Sequence, residues 1–426
     1  MVEDYTICWY GPVYSVSGYG TASRAYLNTL RDLGHRIKVY NTGKVEKEFL
    51  DTELIKWLEK LEQNEIKGKK IVLIHDLPTI LERLEIRDAL FCALITIFET
   101  DRIPRFWVNL LNRRFVDEVW VPSQFNINTF HKSGVKNEKL FKLPYPMDVS
   151  DEEPKSNREN TFRILYIADF NPRKNMRQLV EAYKNEFGGL ENVELFLHTT
   201  TNLKEEQERF KDSLGDLNNP RVNFSMEKLN DAAIKSLIST ADLYISTDKA
   251  NGWGMPVMEA MAMGVSVATV NWSGSTEFTS HKNSFLIEPT GLEPVSFEIA
   301  SRSHLYLKQK WAVLDTASIQ NVMRVAYENT RLRRELAVQA KKDILAFSSE
   351  TIRQRMIGHL ESIVRRLNTS AGKNLRKTNH FHLRLVMLKR NLFYAVQLKL
   401  SYPGYFNLTM HIRKTAAYYF SKKGTG

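Results

Sequence analysis

Short apolar runs alternate with amphipathic stretches along most of the chain. Tyr5–Trp9, Arg36–Tyr40, Lys70–Ile74, Ala93–Phe98, Glu118–Val121 and Lys139–Leu143 read as strands. Thr21–Leu33, Arg105–Arg114 and Gln124–Lys132 read as helices between them. Strands with little polar interruption, separated by helices, predict a parallel sheet covered on both faces. A polar stretch from Asp148 to Thr161 breaks the pattern and reads as a linker. The alternation then restarts. Strands are expected at Phe162–Ala168, Val193–His198, Arg221–Phe224, Leu243–Ser246 and Val265–Val270, and helices at Met176–Glu186, Asp231–Thr240 and Pro256–Met263. A last helix is expected over Ser348–Leu367. The reading is an α/β protein with two doubly wound parallel-sheet domains facing a cleft. The units are 1–150, 151–347, a crossover helix over 348–367 and a basic tail over 368–426. Ligands of such sheets bind outside the strand C-termini.

Composition changes this picture in one place. The 426 residues carry a formal net charge of +11. From Ser362 to Gly426 there are 13 Lys or Arg and no acid, so the remainder holds 47 basic residues against 49 acidic ones. The basic character belongs to the tail, which weakens a nucleic-acid reading of the whole protein. Two cysteines, Cys8 and Cys92, cannot form a disulfide scaffold, and a reducing cytoplasmic setting is expected. The acidic start, Met1 to Tyr5, lacks the features of a signal peptide. Phe381–Leu400 is the longest near-apolar stretch but contains Arg384, Lys389, Arg390 and Lys399, so no membrane-spanning helix is expected.

Three segments carry chemistry. After the first strand, Gly18-Tyr19-Gly20 precedes a helix. Ser23 stands where a dinucleotide fingerprint needs Gly, and Tyr40-Asn41 stands where it needs an acid, which argues against a nicotinamide or flavin site. What remains is a flexible loop at a helix N-terminus, suited to phosphate, or an ordinary turn. The second segment, around Asn251-Gly252-Trp253-Gly254-Met255-Pro256-Val257-Met258-Glu259, runs from a strand end into a helix. Pro256 suits the first helical turn, Gly264 ends the helix, and Glu259 can accept two hydrogen bonds from a diol. The third is the turn with Arg173 and Lys174, whose cations suit a pyrophosphate or are simply solvated. Arg24 reads as a phosphate contact or a surface ion pair. His198 and His359 read as structural.

These segments together resemble retaining glycosyltransferases of family four, which have the GT-B fold of two Rossmann-like domains. The resemblance covers roughly residues 5–367 and rests on F-E-T-D-R-I-P-R-F-W, D-E-V-W-V-P-S-Q-F-N, F-N-P-R-K-N and N-G-W-G-M-P-V-M-E-A-M-A-M-G. It implies that Glu259 holds the nucleotide ribose and that Lys174, with Arg173, neutralises the donor phosphates. The backbone of Gly254, Met255, Pro256 and Val257 would lie along the pyrophosphate and sugar, and Gly18, Tyr19 and Gly20 would close over the donor. Glu277 is a further donor-side candidate, or a plain helix-start carboxylate. His75, Asp76, Glu99 and Asp101 are acceptor-side candidates; Glu99 and Asp101 serve equally well as caps or partners of Arg102 and Arg105. The resemblance implies a nucleotide sugar, a UDP- or GDP-hexose, as donor substrate, with no cofactor and no metal. Two positions depart from the family pattern. Asn251 replaces the signature's first Glu and loses its charge, and Asp169 replaces an Arg of the phosphate turn.

The implied activity is transfer of a hexose to a glycan or lipid-linked oligosaccharide with retention of configuration. The alternative is a degenerate member that acts as partner or scaffold of an active transferase. The aromatic, leucine-rich and basic tail fits an anionic membrane surface, which implies peripheral attachment to the inner face of the plasma membrane. Packing on the protein or a partner is the competing reading, and nucleic acid is less favoured. Truncation after Leu367 is expected to abolish co-sedimentation with anionic vesicles; undiminished binding would remove the tail from that role.

Overall fold

The computed structural model describes residues 5–150, 161–188, 192–199, 208, 221–303, 305–369 and 396–397. Residues 151–160 of the expected Asp148–Thr161 linker and nearly all of the basic tail lie outside the described residues. Among the described residues, no helix is long and apolar enough to cross a membrane.

The first sheet contains β1 (Tyr5–Gly11), β2 (Ile37–Asn41), β3 (Lys69–His75), β4 (Ala89–Ile95), β5 (Glu118–Val121) and β6 (Leu140–Lys142). All pairs are parallel, in the order β2-β1-β3-β4-β5-β6. The second contains β7 (Phe162–Ile167), β8 (Val193–His198), β9 (Val222–Ser225), β10 (Leu243–Ser246), β11 (Ser266–Val270) and β12 (Phe285–Ile287), ordered β12-β11-β10-β7-β8-β9 and again parallel. In the second sheet the strand order reverses between β7 and β10, so a crevice for ligand opens there at the strand C-termini. A short antiparallel hairpin, β13 (Gly291–Pro294) with β14 (Lys310–Val313), completes the strands.

The expected alternation is present, with two kinds of difference. β4 ends at Ile95 rather than Phe98: the chain leaves the sheet at Thr96, while Phe98 still packs its ring edge-on against Trp107 at 4.9 Å. Helices Thr52–Gln63, Thr316–Glu328 and Thr330–Ile344, and the hairpin, have no counterpart in the alternation read above. Thr330–Ile344 shows why. Only Leu336, Ala337, Ala340 and Ile344 of its 15 residues are buried, a narrow stripe in a charged sequence.

The final helix, Ser349–Thr369, returns to the first sheet. His359 stacks on Phe141 with ring centroids 3.6 Å apart, and its Nε2 lies 2.7 Å from Glu118. Glu118 also accepts from Trp120 Nε1 at 2.9 Å and Arg366 at 3.0 Å, and Tyr5 donates to Asn368 at 2.8 Å. Burial opposes ionisation of Glu118, but these hydrogen bonds and the histidine's charge outweigh it and hold the carboxyl below its usual range. A depressed folded-state pKa stabilises the fold above the unfolded value of 4.5, and that stability is lost as pH falls through the lower folded-state value. Glu118→Ala is therefore expected to lower the unfolding free energy at pH 7 by about 2 kcal/mol, since it leaves the Trp120 indole N–H and the His359 ring without their acceptor at a buried site. Urea titration should show the deficit shrinking below pH 4.5.

Candidate active site

The loop after β1 is built by close packing. Ser17 caps the helix Gly18–Thr29 by accepting from the Gly20 amide at 3.3 Å. A Cβ on Gly20 would sit 1.9 Å from the Ser15 carbonyl oxygen, so only glycine fits, whereas Gly18 faces open space. Arg24 is buried, not a surface cation. It donates to the carbonyls of Ser15 at 2.6 Å and Val13 at 3.3 Å, and reaches Asp231 of the other domain at 3.4 Å. Tyr19 lies across the first sheet's edge, its hydroxyl 3.4 Å from Thr96 Oγ1 and from the Ile97 amide.

The turn after β7 holds both cations in partnership. Asn171 caps it by accepting from the Arg173 amide at 2.9 Å. Lys174 Nζ lies 2.6 Å from Asp248, a buried acid that also accepts from Tyr166. Arg173 donates to the Ala250 carbonyl at 2.5 Å and lies 3.5 Å from Glu99 of the first domain. Burial alone would lower the Arg173 pKa, but Glu99, Tyr306 and Asp248 outweigh it and raise it above its ordinary value. Asp169 is exposed, whereas these two cations are half-buried.

The loop after β10 leads into helix Met255–Ala262, one residue earlier than expected, with Pro256 in its first turn. Gly254 has φ +92°, a left-handed conformation that favours glycine. The loop is buttoned to segment 273–275. Asn251 Oδ1 accepts from the Ser275 amide at 3.0 Å, and its Nδ2 donates to Ser275 Oγ at 3.3 Å. The Asn251 amide donates to Ser273 Oγ at 3.1 Å. A Cβ on Gly274 would meet the Gly252 carbonyl oxygen at 2.0 Å. Asn251 is 3% exposed, so its amide is mortar between two loops. Glu259 is different: it is half-buried, and no hydrogen bond from a described residue reaches its carboxylate. Burial pushes its pKa up to about 7, Asp231 adds to the rise, and Lys235 opposes it.

The acceptor-side candidates fare unequally. His75 ends β3 but does not face the cleft. Its ring is fully buried among Trp9, Tyr19, Tyr26 and Tyr145, and burial pushes it down to about 3. Its phase puts it in the core cluster of Ile71 and Leu73, while Val72 and Ile74 are buried on the other face; the rings that close around it, not its phase, remove it from the cleft. Asp76, on the opposite phase, accepts from Thr42 Oγ1 at 2.8 Å and the Leu77 amide at 2.7 Å. Glu99 accepts from Tyr306, and Asp101 accepts from the Lys310 amide at 2.6 Å, so both acids join the domains. Glu277 does the same, bonding Lys142 and the Gln124 amide, each at 2.6 Å. Sequence reading missed Asp248, Tyr166, Ser273, Ser275 and Tyr306. Asp248 had a local signal, a carboxylate between a strand end and a glycine loop; the others are defined by distant partners. Among the described residues, no group of three or more His, Cys, Asp or Glu could hold a metal ion.

Residues 148–301 match the family model described as glycosyl transferases group 1. No curated protein matches the chain. Among solved structures, HepE of Anabaena in complex with UDP and glucose is similar with a TM-score of 0.59 at 17% identity, over 84% of this chain and 99% of that one. A glycosyltransferase from Rickettsia africae has a TM-score of 0.59 at 15% identity, over 86% of this chain and 100% of that one. Trehalose-6-phosphate synthase OtsA reaches 0.57 at 9% identity, over 84% and 99%. At these identities the likeness establishes the fold, the two-domain GT-B arrangement.

Glu259 yields a stability test. Its folded-state pKa exceeds the unfolded 4.5, so the folded state binds the proton more tightly and loses stability as pH rises from 4.5 to about 7. Glu259→Gln is expected to raise thermal stability at pH 8 by about 2–3 kcal/mol. The gain should vanish near pH 4.5 in a pH series of melting curves.

Proposed function

We propose that the chain is a glycosyltransferase that moves a hexose from a UDP- or GDP-sugar to a glycan or lipid-linked acceptor, with retention of configuration. The observation that carries this reading is Glu259. It is a carboxylate that accepts no hydrogen bond from a described residue, on the helix after the β10 glycine loop, within the segment that matches glycosyl transferases group 1. A ribose diol supplies the two donors it lacks.

The donor's pyrophosphate would lie between the helix start and the turn. Met255 and Val257 have amide hydrogens at that start, while Pro256 has none. Lys174 gives one of its three N–H bonds to Asp248 and keeps two for phosphate. Arg173 stands behind it and adds positive potential. These groups stabilise the charge that builds on the leaving diphosphate as the glycosidic bond breaks. The acceptor hydroxyl attacks from the same face and passes its proton to the leaving phosphate, so no protein base is required. The basic tail would hold the enzyme at an anionic membrane, where lipid-linked acceptors lie.

One observation favours a second reading. Asn251 carries no charge, and its amide is used by Ser275. It cannot stabilise a cationic transition state by charge, which suits a nucleotide-binding partner of an active transferase. Incubation with UDP- and GDP-sugars separates the two: transfer or donor hydrolysis supports the enzyme, and binding without turnover supports the partner.

Glu259→Ala and Lys174→Ala are each expected to lower kcat/KM at least tenfold; unchanged kinetics would refute the assigned roles. UDP-glucose is a diphosphate diester with no group titrating near 7. Its affinity should therefore fall as pH drops through about 7, where Glu259 takes up a proton, and Glu259→Gln should flatten that profile. Calorimetry across pH measures both.

A further inference from the structure

His198, expected to be structural, combines burial with unused hydrogen-bonding groups, as His75 of the first sheet also does. The residue is the last of β8 and is 1% exposed. Neither ring nitrogen has a hydrogen-bond partner among the described residues. A buried imidazole with both nitrogens idle is costly unless something else supplies a partner.

The strand registers place this ring relative to Glu259. Tyr244 of β10 pairs with Leu165 of β7, and Leu165 pairs with Phe196 of β8. Paired residues of parallel strands point to one face, and so do residues two further along. His198, opposite Ile167, therefore shares the face of Tyr244. Tyr244 donates to the Ile167 carbonyl at 3.0 Å and is close enough to Glu259 to feel its charge. Two polar groups without partners among the described residues therefore lie toward the C-terminal ends of the second sheet's strands: His198 ends β8, and Glu259 is on the helix after β10. His198 lies two strand spacings beyond β10, about 10 Å.

A nucleoside has this form: a diol at one end and a flat ring of hydrogen-bonding atoms at the other. We propose that His198 reads the nucleobase of the bound nucleotide. This rests on the nucleotide-sugar reading of the site and deepens it by assigning the base. Burial holds the imidazole neutral, against the pull of Glu227. One ring nitrogen then donates and the other accepts, and either can meet a base edge. On this assignment the phosphates are held by the β7 turn and the helix start, the ribose by Glu259, and the base by His198.

The test separates the base from the rest of the nucleotide. Calorimetry is run with whichever of UDP, GDP and ADP the unchanged chain binds most tightly, and in parallel with ribose 5-phosphate and pyrophosphate, which carry no base. His198→Leu is expected to weaken the nucleotide about tenfold and leave the two baseless probes unchanged. His198→Asn, which keeps a donor and an acceptor, should recover part of the loss. Equal weakening of all three probes, or no weakening of the nucleotide, overturns the assignment. Failure of the unchanged chain to bind any of the three nucleotides overturns the nucleotide reading itself, and His198 with it.

Discussion

A half-buried guanidinium paired across two domains is the constraint on which the cleft depends. Arg173 comes from the turn after β7, Glu99 from the loop after β4, Tyr306 from the segment before β14, and the carbonyl of Ala250 from the loop ahead of Glu259. A buried charge is tolerated only when it is paired and hydrogen-bonded. Four separate segments must therefore hold their places together. The same seam is reinforced beside it. Ser273 sits at φ +77°, an unusual conformation for a residue with a side chain, and its hydroxyl donates to the Glu99 carbonyl at 2.8 Å.

The strand skeleton was legible because buried parallel strands need nearly continuous apolar runs. Glu118–Val121, Val193–His198 and Leu243–Ser246 fall at the expected boundaries. The loop and helix around Glu259 were legible because glycine, proline and glutamate each answer a local backbone demand. Partnerships across the cleft were not. Glu99, Asp101 and Glu277 look like ligand-facing acids in sequence, since nothing near them in the chain reveals Tyr306, Lys310 or Lys142. His75 is a different case. Both faces of β3 are apolar, so its phase with Ile71 and Leu73 does not reveal the ring of Trp9, Tyr19, Tyr26 and Tyr145 that encloses it.

The cations of the cleft arrive already matched with acids: Lys174 with Asp248, Arg173 with Glu99, Arg24 with Asp231, Lys228 with Glu46. A body of nearly balanced charge is what such pairing produces. The site does not present a strongly positive bowl to an anion. It offers cations softened by their partners, amide hydrogens at a helix start and one acid held uncomfortably out of water. That arrangement suits a ligand that brings negative charge at one end and hydroxyl donors nearby.

The hydrogen bond between Tyr5 and Asn368 sets the geography of the chain's two described ends. Tyr5 opens β1, so it lies at the edge of the first sheet opposite the glycine loop, about 20 Å away along the strand. Tyr5 and Asn368 are therefore neighbours at the end of the first sheet remote from its strand C-termini. A pull on the Ser349–Thr369 helix at this point is felt first along that back edge.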